Sequence, residues 1–516
     1  MKKTITIESI LAGHSTAQYF GSKDSYNSSI GVDPDYPIGG GVRTSGMIVP
    51  TVYAKFSGAN IEGAPLWVMT NPKDTLTYVY DDGAGVTSYN SSLASETNIT
   101  SPTSSDGNGG AYYNNYLYLA TRADVARYGP LNGSPSIAQN VWTAATLGSQ
   151  VALGNFTYPS IRGVKIPNHP MHYHSDNSLY FGDVVTGQGV IHRIKTKKTS
   201  VEGDTNDNSA YNVLDLPIGY IPVDIESYGT DLVILAIQTT DATVNQGKAA
   251  LFFWDTVDPD TFYNKVDLSD PIATALLNVN GILYMWTGNF QGGSRLSQYI
   301  GGDSVIEIAF MEEGAPPLAG SVDSLGSRIN WGAYTTYPET SASVIAFGSK
   351  TRDFSNGLHN VARTTSAGAN QNCTAMKYVQ QDSNKEPKVV AGWKDDTTQG
   401  MDKEGSGTYN SVFRTDMINV GKKFSINKIT IPLGATLAAN MEVVPKIYLD
   451  DLSSSDTLTT INSTNFSGRK VVYKQNELIG SKGDSNFLIE FNFGGTVELP
   501  VLLPITITLD IFKDEP

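Results

Sequence analysis

The clearest hydrophobic pattern in the chain is a short apolar run, a turn, and a second apolar run, repeated many times. It appears in "NNYLYLATRADVARYGPL" from Asn114, "DNSLYFGDVVTGQGVIHRI" from Asp176, "GTDLVILAIQ" with "KAALFFWDT" from Gly229, and "VNGILYMWTGNFQGGSRLSQYI" from Val279. Weaker versions follow at Ser327 and Cys373, and an earlier pair, "APLWVMTNPKDTLTYVYDDG", starts at Ala64. Runs of this length, rich in β-branched and aromatic residues and closed by Gly, Asn or Asp, predict antiparallel strands joined by hairpins. Taking Leu117, Leu179, Leu232, Leu283, Ile329 and Met376 as centres of the first strand of each unit gives intervals of 62, 53, 51, 46 and 47 residues. A four-stranded propeller blade takes ~40–50 residues. The expectation is an all-β chain with a β-propeller of about seven blades over 47–408.

The flanks read differently. Residues 1–46 contain "GSKDSYNSSIGVDPDYPIGGGVRTSG", which has little periodicity and many Gly, Pro, Asp and Ser residues. That composition predicts an extended N-terminal arm, with Ile5, Ile7, Ile10, Leu11, Tyr19 and Phe20 available for docking. After the polar joint "MDKEGSGTYN", strict alternation returns in "KKFSINKITIPLG", where Phe424, Ile426, Ile429 and Ile431 oppose Ser425, Lys428 and Thr430. Further strands and no helical period predict a C-terminal antiparallel β-sandwich, jelly-roll-like, over 409–516.

Composition supports the all-β reading and narrows the function. The 516 residues hold 50 glycines and 27 tyrosines, with only 17% charged residues. The formal net charge of −15 repels phosphates, so nucleic acid is not an expected partner. The basic cluster Arg193, Lys195, Lys197 and Lys198 fits an exposed strand face better than an anion site. A lone cysteine, Cys373, excludes an intrachain disulfide. No signal-peptide core follows Met1, and no run approaches the ~18 apolar residues of a membrane span, so membrane insertion is not expected.

Candidate chemistry is sparse. His169, His172 and His174 form a His-x-x-His-x-His stretch and are the only metal candidates. On a strand, His172 and His174 share a face and His169 tends to the other; zinc needs three or four convergent ligands. The loop reading of these residues is therefore preferred, with no metal or other cofactor expected. "DTNDNSAYNVLD" places Asp204, Asn206, Asn208 and Asp215 at calcium-loop spacing, but Ser209 replaces the turn glycine. The pairs Asp81-Asp82, Asp395-Asp396 and Asp450-Asp451 suit turns, and Asp183 and Asp255 close strands. Trp254, Trp286, Trp331 and Trp393 suit packing between blades, with exposed sugar platforms the minority use. No nucleophile elbow, phosphate loop or zincin motif is present, so no enzymatic activity is expected.

Three stretches carry a resemblance: the opening "IESILAGHSTAQYFGSKDSYNSSIGVDPD…RTSGMIVPTVYAKFSG", the central "NHPMHYHSDNSLYFGD", and the tail "FSINKITIPLGATLAANMEVVPKIYLDD…LPITITLDIF". They resemble virion structural proteins of tailed bacteriophages, among them tail, adhesin and capsid-associated components. The resemblance implies a virion component assembled in the host cytoplasm. It would join other virion proteins, and copies of itself as a homo-oligomer, through arm and sandwich, and present the propeller for protein or host-surface glycan contact. The resemblance carries no functional residues. The alternative is a carbohydrate-binding or glycan-cleaving propeller protein.

Overall fold

Strands account for almost all regular structure in the computed structural model, the only helical turns being short ones such as Ala319–Ser321 and Gln475–Glu477 among the described residues. The structure describes Met1 to Phe512 apart from 15–24, 34–46, 56–60, 140–159, 196–209, 239–247, 335–344, 352–357, 363–371 and 381–386, and shorter breaks of up to four residues. The chain divides into two compact units. One comprises Met1–Ala54, Ala346–Thr365 and Glu404–Pro516; the other comprises Lys55–Ile345 and Ser366–Lys403.

The second unit is built from antiparallel meanders. The segments 65–99, 109–138, 171–215, 220–267 and 272–311 each form a four-stranded sheet in which neighbours in sequence are neighbours in space. Tight hairpins set their register. Asn114 and Asn115 take φ of 46° and 69° between Tyr113 and Tyr116, and Asn280 and Gly281 take 53° and 80°. Two successive positive φ values match the twist of the flanking strands, and Asn and Gly tolerate them best. The opening strands of successive segments touch in order: Pro65–Thr70, Gly109–Tyr113, Met171–His174, Tyr220–Tyr228, Ile272–Val279, Val322–Leu325 and Asn372–Val379, which contacts Pro65–Thr70 again. The arrangement is propeller-like.

The sequence pattern mistook the position of the strongest runs. Leu117, Leu179, Leu232, Leu283 and Ile329 lie on the second strand of their segments; only Met376 lies on a first strand. Second strands are packed on both faces. Leu232, Val233, Ile234, Leu235, Ala236 and Ile237 are all fully buried, Val233 and Leu235 facing one core cluster and Leu232 and Ile234 another. Each such side chain contributes about 1.5–3 kcal/mol of burial. Some opening strands are quieter in the sequence because they carry polar residues, as Tyr220–Tyr228 does with Asp224 and Glu226.

The first unit draws on both chain ends. Lys2–Ile7 pairs antiparallel with Ile505–Ile511, Lys2 opposite Asp510 and Ile7 opposite Ile505. Ile505–Ile511 pairs in turn with Phe424–Pro432, which also pairs with Lys470–Lys474. A second sheet runs Leu358–Ala362, Ser25–Ile30, Ser411–Thr415, Asn486–Gly495, Met441–Leu449 and Ser455–Thr457. Ile429, Ile507 and Leu509 from the first sheet and Phe413, Ile447 and Phe491 from the second belong to one core.

The expected division into 1–46, 47–408 and 409–516 therefore differs from the observed units. The described parts of 1–46 are strands of the same unit as the C-terminal sheets, not a separate arm. Alternation of Ile5 and Ile7 with Thr4 and Thr6 lets Lys2–Ile7 complete a sheet edge. Ser25–Ile30 is polar yet buried because it lies between two strands, with Tyr26 packed 5.2 Å from Phe413. Leu11, Tyr19 and Phe20 lie outside the described residues. No helix among the described residues is long and apolar enough to cross a membrane.

Candidate functional site

The opening strands of the propeller-like unit line a half-open cavity of about 270 Å3. Four of these strands are bulged near their starts, between Pro65 and Trp67, Pro222 and Asp224, Ala273 and Ala275, and Cys373 and Ala375. A bulge inserts one residue and re-aims the side chains that follow it. Trp67, Asp224, Leu276 and Met376, each just past a bulge, line the cavity.

Five groups give the cavity its polar character: His172, Asp224, Glu226, Asp323 and Lys377. Asp224 and Glu226 are two apart on one strand, so they share a face. The Asp224 carboxylate accepts from the backbone N–H of Ile225 at 2.8 Å and of Leu276 at 2.6 Å. Burial nevertheless pushes its carboxyl from 3.8 up to about 8, with the nearby Glu226 charge adding to the rise and the two N–H groups opposing it. Glu226 stands 3.5 Å from His172 Nε2. Asp323 stands 3.5 Å from Lys377 Nζ and accepts from the Tyr378 N–H at 2.7 Å. Burial holds the His172 imidazole below its ordinary range, against the pull of Glu226 and with His174 reinforcing it.

A pH dependence follows from Asp224. Its folded pKa lies above its unfolded value, so the native state holds the extra proton between about pH 4 and about pH 8. This stabilisation is full below the unfolded pKa and is lost as pH rises through the folded one, at up to ~1.4 kcal/mol per pH unit. Urea unfolding between pH 5 and pH 8 should show wild type losing more stability on going up in pH than Asp224→Ala. Parallel curves for the two proteins would refute the assignment.

The sequence candidates separate into two places. His172 Nε2 and His174 Nδ1 both approach Ser227 Oγ, at 2.7 and 2.8 Å. His174 Nε2 faces the Thr230 carbonyl at 3.1 Å, an acceptor only, so Nε2 carries the proton. A neutral His174 ring then accepts the Ser227 hydroxyl through Nδ1, and His172 donates to Ser227 Oγ through Nε2. These bonds tie Met171–His174 to Tyr220–Tyr228. His169 lies elsewhere, buried, with Nδ1 3.1 Å from the Gly182 carbonyl and 3.5 Å from Asp183. Asp183 also takes the Nε2–H of buried His192 at 3.1 Å. Asp183 is thus an interior partner for two histidines, not a turn or channel residue. Among the described residues, no three His, Cys, Asp or Glu side chains are placed to hold a metal.

The other candidates serve turns and cores. Asp81, Asp255 and Asp395 accept backbone N–H groups two to four residues ahead. Asp450 accepts from the N–H groups of Asp484, Ser485 and Asn486, which lower its pKa despite burial. Trp254, Trp286, Trp331 and Trp393 are fully buried. Asp204, Asn206, Asn208, Lys197 and Lys198 lie outside the described residues. Sequence reasoning missed Asp224, Glu226, Asp323 and Lys377. The available signal was "VDIES", two carboxylates at period two inside an apolar strand.

No protein-family model and no curated protein matches the sequence. Among solved structures, the beta-propeller domain of Swd1 from Myceliophteria thermophila is 10% identical, with TM-score 0.43, covering 68% of this chain and 99% of that one. The WD40 repeats of RRP9 are 10% identical with TM-score 0.42, covering 68% and 96%. An exo-beta-1,3-galactanase from Phanerochaete chrysosporium is 8% identical with TM-score 0.30, covering 69% and 99%. No residue role passes from these proteins to this chain.

Proposed function

We propose that the chain is a structural component of a tailed-bacteriophage virion, assembled in the host cytoplasm. Its body is a seven-bladed propeller, a count supported by the cyclic contacts of seven opening strands. Its second part is a jelly-roll-like β-sandwich, a reading supported by two sheets that share one core. The virion role draws on the sequence phrases quoted above. The observation that carries assembly is the outer pair of strands in 272–311, where Ile300, Ile306 and Phe310 stand 53%, 42% and 45% exposed. An outer strand with apolar side chains in solvent is suited to contact with another chain. The partners are other virion proteins and further copies of this chain.

Light scattering and electron microscopy of the purified protein test this. A closed multimer is expected, and Ile306→Lys with Phe310→Glu should break it. A monomer at tens of micromolar, with no binding to co-expressed virion proteins, would count against the role. A second reading, as a carbohydrate-binding or glycan-cleaving propeller protein, is favoured by the three carboxylates lining one cavity.

A further inference from the structure

The geometry points to the cavity between the opening strands as a binding site for a single neutral sugar ring. Size sets the first limit. At about 270 Å3 the cavity lies at the small end of ligand pockets, which run from ~300 to ~1,000 Å3. That volume accommodates one ring.

Lining chemistry sets the second limit. One part of the wall is apolar: Trp67, Met69, Met171, Leu276 and Met376. The rest carries polar and charged groups, with His172 beside Glu226 and Lys377 beside Asp323, each at 3.5 Å. A sugar presents the matching surfaces, with apolar C–H faces and a rim of hydroxyls that donate to carboxylates and accept from an ammonium group. Asp224 adds a hydroxyl donor. At neutral pH its carboxyl keeps its proton, and the two backbone N–H groups it meets are themselves donors. A ligand oxygen lying in the cavity is suited to accept this proton.

Charge excludes the other ligand classes. An anion would face both Glu226 and Asp323. A bare cation would need several convergent oxygens, whereas part of the wall is apolar and Glu226 and Asp323 each already have a nitrogen beside them. The bulges before Trp67, Asp224, Leu276 and Met376 make the wall a recurrent feature of the opening strands, not the accident of one loop. This inference does not rest on the virion reading, and either can fail alone.

The test is saturation-transfer NMR on the full chain at pH 7, with the methyl glycosides of glucose, galactose, mannose and N-acetylglucosamine as separate probes. At least one is expected to bind, with affinity falling tenfold or more in Glu226→Gln and in Asp323→Asn while circular dichroism stays unchanged. If one variant fails to fold, the other carries the comparison. Three results overturn the proposal: no probe receives saturation, binding is unchanged in the folded variants, or spermidine or N-acetylneuraminate binds in preference to every neutral sugar.

Discussion

Arg414→Ala is expected to destabilise the unit built from both chain ends by about 3–5 kcal/mol, the cost of removing one partner of a buried ion pair. Glu490 is 4% exposed and Arg414 11%, and Nη2 and Nε of the arginine lie 2.6 and 3.0 Å from the same carboxylate oxygen. Asn492 donates to the other oxygen at 2.8 Å, and Lys446 stands 3.4 Å from it. The guanidinium also covers the Tyr448 ring at 5.2 Å, so truncation removes packing as well as charge. Burial opposes ionisation of Glu490, but the hydrogen bonds from Asn492 and Arg414 and the charges of Arg414 and Lys446 outweigh it and lower its pKa. A depressed carboxyl pKa gives stability that is present above the unfolded value and lost as pH falls through the folded one. The gap between wild type and variant should therefore narrow in acid. All six tryptophans fall in the propeller-like unit. Far-ultraviolet circular dichroism, not tryptophan fluorescence, is therefore the probe for this variant. A loss below 1 kcal/mol at pH 7 would show that the pair is dispensable.

Trp254→Ala should cost the propeller-like unit about 3–5 kcal/mol, as large-to-small changes of fully buried aromatics do. The indole is 1% exposed, meets Tyr180 edge-on at 5.7 Å and donates through Nε1 to the Asp258 carbonyl at 2.7 Å. Tyr180 belongs to 171–215 and Trp254 to 220–267, so the cavity left behind opens the seam between two sheets. Trp254→Phe should recover most of the loss, because the ring contact survives and only one hydrogen bond goes. Urea unfolding followed by the remaining tryptophans reads the change. If alanine and phenylalanine prove equally mild, the seam tolerates loss of its largest side chain and the packing account fails.

The sequence was informative wherever burial is strictly one-sided or two-sided. Alternation in Phe424–Pro432 named its inward residues, since Phe424, Ile426, Ile429 and Ile431 are buried and Lys428 is exposed. Runs such as "DLVILAIQ" and "AALFFW" announced strands packed on both faces. Asn114-Asn115 and Asn280-Gly281 sit at hairpins because few other residues accept successive positive φ values. Asp81, Asp255 and Asp395 were legible because a short carboxylate side chain can accept backbone N–H groups a few residues ahead.

Two things came only from tertiary structure. The first is membership of a unit. Nothing near Lys2–Ile7 states that its partner is Ile505–Ile511, because strand pairing over that distance is decided by which edge is open and which core needs covering. The second is the cavity. Asp224, Glu226, Asp323, Lys377 and His172 are scattered over more than two hundred residues, and each alone reads as an ordinary polar residue on or beside a strand. Only the cyclic contact of opening strands brings them together, and burial, with the Glu226 charge adding to it, raises the Asp224 pKa. Local sequence specifies strands, turns and faces through short-range sterics and hydrophobic period. Convergence of side chains and the electrostatics of a shared interior depend on long-range closure.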